Sequence, residues 1–498
     1  MTTTIDSQDG SAEDQAFRIE KHGIDYVPLS ERWASPRAVG GMWAGASVQV
    51  EYFIYGAILM SFGVSFAQAV ALIIIGNLSY FLLGLASLQG PQTGTTVFSI
   101  NRASYGPNGS RIIAFFNWVT QIGFEVEGLI LIVGAALVLG IKAGYAPGDA
   151  SKIIYVLVAV AIQAFLPVLG HATIVKTLRV LVIPFVILFG VLLAFAIPHA
   201  TVHGVAHGAD WQTMFEGLAF TITLSGLGWM ECGNDYTRYC KPEASKKAIV
   251  GWIFLGTAVP EILIMTLGAA IATFIPGIGG SNKGYGSLYP FATQSAIPSW
   301  FVVIFLIVVI VQLFCINSLD MYSSGVTLQA MGAKIKRHQA VLIDCAIALV
   351  ITLYAVFSSS FTTYLTDFVD LVIVWIAPWG AIYLVDWALR RFRYVPKELQ
   401  RTDKAGMYYR NGGYYWPALI SQFVGMYAAI SALSTTFHLP RWLNPITYAT
   451  RDSYGYGADF SVFLGVGVAG LLYLALAWKG VRAQADEQDR VLASTTSE

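Results

Sequence analysis

Long apolar stretches separated by short polar ones repeat along the whole chain. Each apolar stretch has about 20 residues, enough for a helix to cross the roughly 30 Å of hydrocarbon in a bilayer. The stretches are centred near residues 50, 75, 128, 162, 188, 223, 262, 312, 349, 375, 424 and 468. This pattern predicts an all-α polytopic membrane protein with about 12 transmembrane helices, which we number span 1 to span 12 in chain order.

Composition and charge agree with this prediction and orient the chain. Of the 498 residues, 56% are hydrophobic and 12% are charged, whereas about 25% of a soluble domain is charged. If the N-terminus is cytoplasmic, 25 of the 30 lysines and arginines fall on the cytoplasmic side, as the loop charges of membrane proteins do. We therefore expect a multi-pass protein of the cell membrane with both termini in the cytoplasm. The formal net charge of +0 gives no reason to expect a nucleic-acid partner.

Small residues interrupt the first apolar stretch and its counterpart five spans later. Span 1 opens with AVGGMWAGASVQVEYF, and span 6 contains TITLSGLGWMECGNDYTRY. Glycine-interrupted segments at corresponding positions of two halves are typical of transporters in which broken helices surround a site near the bilayer midplane. A repeat of five spans would give the two halves opposite topology. The alternative interpretation is that these glycines only let neighbouring helices pack closely.

Five short motifs give the chain a resemblance to a known family. Residues 234–242 read NDYTRYCKP, while GIDYVPLSERW, GPQTG, RASYGPNGSR and NSLDMYSSG lie before span 1, after span 2, before span 3 and in span 8. In this order and spacing the motifs resemble the nucleobase–cation symporter-1 family, in particular its purine–cytosine permease branch. The resemblance implies two inverted five-helix repeats of the LeuT type plus two further helices. It also implies import of a nucleobase or related nitrogen-rich molecule by alternating access, together with a proton or a sodium ion.

The resemblance divides the chain into segments. They are a cytoplasmic tail at 1–37, a first five-helix repeat at 38–200, a second, inverted repeat at 211–390, a basic cytoplasmic loop at 391–413, two additional helices at 414–480 and a cytoplasmic tail at 481–498. The expected partners are a small-molecule substrate and the lipid bilayer, and the expected assembly is a monomer or a loose oligomer.

Site positions of the family can be transferred to this chain one residue at a time. The resemblance implies that Phe124 in span 3 and Trp229 in span 6 stack on the two faces of the substrate ring. The other substrate-binding positions that it implies are Gly45, Ser47, Gly128, Gly228, Asn317 and Asp320. Gln121 is added to them because it shares a helix face with Phe124. Ala46, Ser323 and Ser324 resemble parts of the family's sodium site. Gly128 and Asp320 depart from the family pattern, because each stands where an amide side chain is expected.

Five carboxylic acids lie in the spans that line the family's site, and no lysine or arginine lies near a bilayer centre. They are Glu51, Glu125, Glu127, Glu231 and Asp320. A charged side chain there is unfavourable by about 2.5–3.5 kcal/mol on insertion scales, so the acids require an explanation. They hold a coupling proton, coordinate a sodium ion or pair with a cationic substrate. The alternative is a protonated acid that is hydrogen-bonded to the backbone as part of the scaffold.

Helical spacing favours Glu125 among the five acids. Gln121, Phe124, Glu125 and Gly128 follow i, i+3, i+4, i+7 spacing and share one face of span 3. We therefore expect Glu125 to be the charge partner in the substrate site. Glu127 lies off that face, and we assign it, with Glu51 and Glu231, to the coupling ion or proton. The substrate expected first is cytosine or a purine, and the second candidate is a cationic or guanidine-like molecule.

The sequence gives little support for an enzyme. A membrane hydrolase needs a nucleophile with a base, or a metal site, inside its spans. No histidine lies near a bilayer centre, and neither a His-Glu-x-x-His nor a Gly-x-Ser-x-Gly motif occurs. The four cysteines lack metal-type spacing and are expected to be free thiols. We expect no catalytic residue, no metal and no cofactor other than the coupling cation H⁺ or Na⁺, with an intramembrane acid–base enzyme as the remaining alternative.

Overall fold

The computed structural model describes residues 24–164, 171–201, 208–280, 286–333, 335, 337–358, 361–435, 439–450 and 458–495. Most of the predicted N-terminal tail, residues 1–23, lies outside this part of the chain. Helices occupy each of the twelve predicted apolar stretches within it. The isolated bridge between Ala34 and Cys240 is the only β pairing among the described residues.

Nine spans are formed by a single described helix and three are interrupted. The single helices are Pro107–Lys142 in span 3, Asp149–Gln163 in span 4, His171–Ala196 in span 5, Lys246–Ala272 in span 7, Ser299–Ala330 in span 8, Arg337–Ser358 in span 9, Phe361–Leu389 in span 10, Trp416–Ser431 in span 11 and Ser461–Thr495 in span 12. Span 1 consists of Pro36–Ser47 and Val50–Ser61; span 2 of Phe66–Asn77, Tyr80–Ala86 and Gln89–Thr93; and span 6 of Trp211–Ile222, the turns Thr223–Leu227 and Met230–Cys232, and Gly233–Thr237.

Short helices connect the spans. They are Val97–Tyr105, Pro290–Thr293, Pro396–Leu399 and Pro445–Thr450, together with the 3-10 turns Leu29–Glu31 and Asn411–Gly413. Seven helical segments among the described residues are long and apolar enough to cross a membrane unaided, and they belong to spans 2, 3, 7, 8, 9, 10 and 12. The prediction of an all-α polytopic membrane protein is confirmed.

Contacts between loops define the two sides of the bundle. We call the side from which span 1 starts the inner side, which is the predicted cytoplasmic side, and the other the outer side. On the inner side Arg102 donates to the Leu399 carbonyl at 2.8 Å. On the outer side Lys142 Nζ donates to Ser299 Oγ at 2.9 Å.

The interruption of span 1 is held by one amide side chain from span 8. Gln49 has extended backbone angles, φ −140° and ψ 157°, between the two helices of the span. Gln312 Oε1 accepts the Val50 N–H at 3.0 Å, and its Nε2 donates to the Val48 carbonyl. One side chain therefore satisfies backbone groups on both sides of the break, which would otherwise be unpaired in a membrane interior.

The interruption of span 6 lies against the interruption of span 2. Ser225 has non-helical angles, φ −96° and ψ −130°, and the next residue donates its N–H to Ser79 Oγ at 2.9 Å. Gly226 allows this approach, because a Cβ there would overlap the backbone of Ser79 and Tyr80. Spans 1 and 6 are thus both broken, as the glycine pattern predicts.

Glycines also bring intact backbones together, so the alternative interpretation of the pattern holds as well. A Cβ on Gly256 in span 7 would overlap the carbonyl group of Gly40 in span 1. Close backbone approach of this kind is how small residues assist helix packing in membranes.

The NDYTR motif ties span 6 to its neighbours on the inner side. Asn234 accepts the Gly90 N–H at 2.6 Å and donates to the Tyr383 hydroxyl at 2.7 Å. Asp235 accepts the N–H of Val97 at 3.1 Å, at the start of the helix Val97–Tyr105. The motif that carries the family resemblance therefore has a structural role, closing the inner end of the bundle.

The last helix extends into the predicted C-terminal tail. The helix of span 12 continues to Thr495, through most of the predicted tail 481–498. Arg391 binds Asp486 and Asp489, each at 2.5 Å. These ion pairs join the polar last turns of the helix to Arg391, directly after span 10.

Candidate functional site

A small cavity lies between the interruptions of spans 1 and 6. Its lining consists of Gln49, Glu51, Tyr52, Tyr55, Phe124, Leu224, Trp229, Ile316 and Asp320, and its volume is about 20 Å³. A cavity of this size suits about one water molecule. The lining residues come from spans 1, 3, 6 and 8, so a larger ligand requires these spans to separate.

Four of the predicted site residues meet at this cavity. Phe124 and Trp229 are only partly buried, whereas the residues next to each of them in sequence are buried. Phe124 packs edge-on against Phe368 with ring centroids 4.9 Å apart. Trp229 packs edge-on against Trp43 at 5.5 Å and donates its Nε1–H to the Tyr52 hydroxyl at 2.8 Å. Both rings line the cavity and are held in place by these edge-on contacts.

Two carboxyl groups line the cavity directly. Glu51 lies in the first turn of the helix Val50–Ser61, where the helix dipole favours a negative charge. Asp320 projects from the middle of span 8, and the two side chains are 5% and 4% exposed. Glu127 is connected to the cavity through one hydroxyl group, because Tyr55 lines the cavity and donates a hydrogen bond to Glu127 at 2.6 Å. Spacing along span 3 alone gave no reason to expect Glu127 beside the cavity.

Glu125 does not line this cavity. Its Oε1 accepts a hydrogen bond from Gln163 of span 4 at 2.6 Å. Asn317 donates to Gln163 Oε1 and to the Glu125 carbonyl, both at 3.0 Å, and it fits there because Gly128 has no side chain to block it. Glu125, Gly128 and Asn317 thus form a second polar cluster with Gln163, between spans 3, 4 and 8.

The remaining predicted substrate residues lie near the breaks but outside the cavity lining. Gln121 donates to Glu231 at 2.5 Å, which joins span 3 to the 3-10 turn of span 6. Gly228 lies close to Thr223, and a Cβ on Gly228 would overlap the Thr223 carbonyl oxygen. Gly45 and Ser47, with Ala46, belong to the last turn before the break of span 1, and all three are buried.

Ser324, one of the predicted sodium-site serines, faces span 9, whereas the Ser323 side chain faces Tyr236 of span 6. Ser324 donates to the carboxyl of Asp344 at 2.7 Å, and Trp118 donates to the other oxygen of this carboxyl at 3.0 Å. The Ser323 carbonyl accepts from Thr327 at 2.7 Å. Asp344 is a buried acid that the sequence analysis did not single out, although it stands alone in an apolar stretch.

A larger cavity opens on the outer side. It has a volume of about 330 Å³ and is lined by residues of spans 1, 6 and 10 and of the segment between spans 11 and 12, including Glu216, Asp370 and Asp459. Asp459 lies in the loop before span 12, and its burial raises the pKa of its carboxyl to about 6. Phe220 lines this cavity and packs edge-on against Tyr55, 6.1 Å away. The two rings therefore separate the outer cavity from the central one.

Sequence reasoning missed several residues that the structure brings to the site. They are Gln49, Tyr52, Tyr55, Gln163 and Gln312. Each is a polar or polar-tipped side chain inside an apolar stretch, and such residues in membrane spans mark functional positions. That signal was available, but it does not tell which neighbour each side chain meets. Glu261, midway through span 7, is expected from the sequence to be structural, and it accepts hydrogen bonds from Ser225 and Tyr80.

Comparisons with known proteins agree with this architecture. The family model described as "Permease for cytosine/purines, uracil, thiamine, allantoin" matches residues 26–455. A Bacillus subtilis (strain 168) protein named "Putative purine-cytosine permease YxlA" is 25% identical over 485 residues, covering 95% of this chain and 99% of that protein. Purine-cytosine permease fcyB of Emericella nidulans is 24% identical over 490 residues, covering 92% of this chain and 88% of that protein.

A solved structure shows the same fold. Mhp1, a nucleobase-cation-symport-1 family transporter in a closed conformation with bromovinylhydantoin bound, superposes with a TM-score of 0.68 at 18% identity. The superposition covers 95% of this chain and 95% of Mhp1. The predicted LeuT-like architecture is therefore confirmed at the level of the fold.

Proposed function

The chain belongs to the family of permeases for cytosine/purines, uracil, thiamine and allantoin, and we propose that it is a secondary active importer of a nucleobase such as cytosine or a purine. Import would proceed by alternating access and would be driven by a coupling cation. The substrate would bind where spans 1 and 6 are broken, between Phe124 and Trp229.

The composition of the central cavity is the observation that carries this proposal. It combines two partly exposed aromatic rings with the carboxyl groups of Glu51 and Asp320. Aromatic faces bind any flat heterocycle by stacking, worth about 1–3 kcal/mol per base. Carboxyl oxygens accept hydrogen bonds from the ring N–H and amino groups of a nucleobase. A flat, nitrogen-rich ligand satisfies both features at once.

The shape of the bundle supports alternating access. On the inner side, Asn234 and Asp235 tie span 6 to neighbouring loops. On the outer side the 330 Å³ cavity reaches down to Phe220. We infer that a substrate enters from the outer cavity after Phe220 and Tyr55 move apart, and leaves when the inner hydrogen bonds open.

Uptake into proteoliposomes tests the proposal. Labelled cytosine, adenine and uracil, and guanidinium as a cation, would be offered to the purified protein under an imposed ion gradient. We expect cytosine or a purine to accumulate and to be displaced by unlabelled nucleobase. Accumulation of none of the three nucleobases would overturn the proposal.

A cationic substrate is the second candidate. Glu51 and Asp320 line the cavity and Glu127 lies one hydroxyl away, whereas no described lysine or arginine lines it. Carboxylates that lack a resident counter-charge favour a cation. Selective accumulation of guanidinium in the same assay would support this candidate over a nucleobase.

We propose a proton as the coupling ion. Ser324, one of the predicted sodium ligands, already donates its hydroxyl hydrogen to Asp344, while buried carboxyl groups that can carry protons surround the cavity. Uptake that collapses with a protonophore and does not depend on external sodium is the expected result. Uptake that requires sodium and survives the protonophore would instead identify sodium as the coupling ion.

A further inference from the structure

A chain of hydrogen bonds leads from the central cavity to a buried carboxyl group in span 7. Trp229 Nε1–H donates to the Tyr52 hydroxyl at 2.8 Å, and the hydroxyls of Tyr52 and Tyr80 lie 3.0 Å apart. Tyr80 in turn donates to Glu261 Oε2. Tyr52 and Trp229 line the cavity, so the chain has one end at the proposed substrate and the other at Glu261.

Glu261 also contacts the broken segment of span 6. Ser225, the residue with non-helical backbone angles, donates its hydroxyl hydrogen to Glu261 Oε1. Both carboxyl oxygens therefore have a hydroxyl partner, and the side chain is 0% exposed. Span 7 thereby joins the cavity to the interruption that gives span 6 its hinge-like shape.

The described polar side chains next to Glu261 are neutral. Span 1 contributes Tyr52, span 2 contributes Asn77 and Tyr80, and span 6 contributes Ser225. The nearest described charged group along the chain of hydroxyls is Glu51, next to Tyr52 in span 1. A carboxylate without a cationic partner at this depth is unfavourable, so proton binding at Glu261 relieves an uncompensated charge.

The direction of the hydrogen bonds depends on whether Glu261 carries a proton. An indole N–H donates and never accepts, whereas a phenol hydroxyl does both. With Glu261 ionised, each hydrogen points along the chain from Trp229 through Tyr52 and Tyr80 to the carboxylate. When the proton is on Glu261 Oε2, the oxygen that faces Tyr80, this O–H donates to Tyr80 and Tyr80 donates to Tyr52. Tyr52 still accepts from Trp229, so its own hydrogen is released from Tyr80 and becomes available to an acceptor in the cavity that Tyr52 lines.

We propose that Glu261 binds the coupling proton and that Tyr80 and Tyr52 transmit its protonation to the substrate cavity. The proposal deepens the proposed function and rests on it. Binding adds one proton to a carboxylate oxygen, and the hydroxyl hydrogens of Tyr80 and Tyr52 rotate without breaking a covalent bond. A substrate acceptor that takes the Tyr52 hydrogen then binds more tightly when Glu261 is protonated. By reciprocity, bound substrate favours the protonated state.

Transport by variants tests the coupling. In proteoliposomes with an imposed proton gradient, Glu261→Gln is expected to lower labelled cytosine accumulation by about tenfold or more, because typical couplings between two sites are 5–150-fold. Exchange of labelled for unlabelled cytosine without a gradient should survive, which shows that the variant is folded. Its cytosine affinity should depend less on pH than that of the parent, which should bind more tightly at acidic pH.

Removal of single hydroxyls separates transmission from proton binding. Tyr52→Phe leaves Glu261 in place but removes the hydrogen that reaches the cavity, so affinity should be weak at both pH values. The matched control is Tyr105→Phe, which removes a buried hydroxyl that donates to Gln422 at the inner side and should behave like the parent. A Glu261→Gln variant that still concentrates cytosine against its gradient would overturn the proposal.

An infrared titration without substrate distinguishes failure of this proposal from failure of the proposed function. The carboxylic acid C=O absorption of the parent minus that of Glu261→Gln should contain a band that appears as pH falls, and Tyr80→Phe should shift it. A difference spectrum without such a band would overturn the assignment even if cytosine is transported. A clear band in a protein that moves none of the nucleobases would support the proton site and reject the nucleobase.

Discussion

Two groups of buried carboxylates in this protein differ in whether a cation faces them. At the inner end of span 10, Asp386 binds Arg390 at 2.8 Å, and both side chains are 0% exposed. Asp386 also accepts from Ser104 at 3.1 Å and from Tyr473 at 2.6 Å. The protein itself supplies the cation and the hydrogen-bond donors that Asp386 needs, so this acid does not require a ligand.

The acids around the broken helices are satisfied only in part. One oxygen of each of Glu51, Glu125, Glu127 and Glu231 has no hydrogen-bond partner among the described residues. Buried polar groups are rarely left in this state, and the spans around them contribute hydroxyls and amides rather than cations. The contrast indicates that a paired buried acid supports the fold, whereas an unpaired one near the breaks retains the capacity to bind a proton or substrate.

The largest effect is expected when the buried pair of Asp386 and Arg390 is broken. Asp386→Ala leaves Arg390 buried without its carboxylate, and removal of one partner of a buried pair is unfavourable by about 3–5 kcal/mol. Thermal unfolding of the purified protein in detergent should show a large loss of stability. Asp149→Ala serves as the control, because Asp149 is 78% exposed and the loss of its surface pair with Lys152 should be barely measurable. Equal stabilities of Asp386→Ala and the parent would remove the distinction between the two groups.

The next largest effect is expected at Trp229, the aromatic ring that lines the central cavity beside the unpaired acids. Trp229→Ala removes stacking worth about 1–3 kcal/mol, so cytosine affinity should fall roughly 5- to 150-fold. Folding should be little affected, since Trp229 is only partly buried. Trp416→Ala, at the exposed start of span 11, is the matched control. Binding of labelled cytosine to both variants measures the difference, and unchanged affinity in Trp229→Ala would move the site elsewhere.

A smaller effect compares two unpaired acids with each other. Glu51 lines the cavity, whereas Glu125 is bonded to Gln163. We expect Glu51→Gln to change cytosine affinity by about tenfold, and Glu125→Gln to change it less, because an amide oxygen can still accept from Gln163. Competition binding on the two variants ranks them. A greater loss in Glu125→Gln would restore the ranking that helical spacing predicts.

The smallest effect is expected in the outer cavity. Asp459→Asn removes a charge from its lining, and charges at the rim of a site mainly alter the rate of association. Initial uptake of neutral cytosine should change by less than about twofold, while guanidinium entry should slow more at low salt. If uptake of both compounds slows equally, Asp459 supports the fold by accepting hydrogen bonds from the backbone N–H groups of Ser434 and Ser461.

Local patterns predicted the architecture because each depends on residues that are close in sequence. Hydropathy located the spans, basic loops assigned the sides, and glycines marked the interruptions of spans 1 and 6. The motif 234–242 indicated the family, which the match over residues 26–455 confirms. Phe124 and Trp229 were predicted as a pair, and both line the cavity.

Tertiary structure decided which polar side chains meet. Span 3 is buried over most of its length, and a helix that is apolar on all sides gives no periodic signal for the face that points to a site. Glu125 and Glu127 are two residues apart and therefore point to different neighbours. Packing turned Glu125 toward Gln163 and Glu127 toward Tyr55. The sequence alone determined that acids lie inside apolar spans, but the rotation of each helix against its neighbours determined which of them reach the cavity.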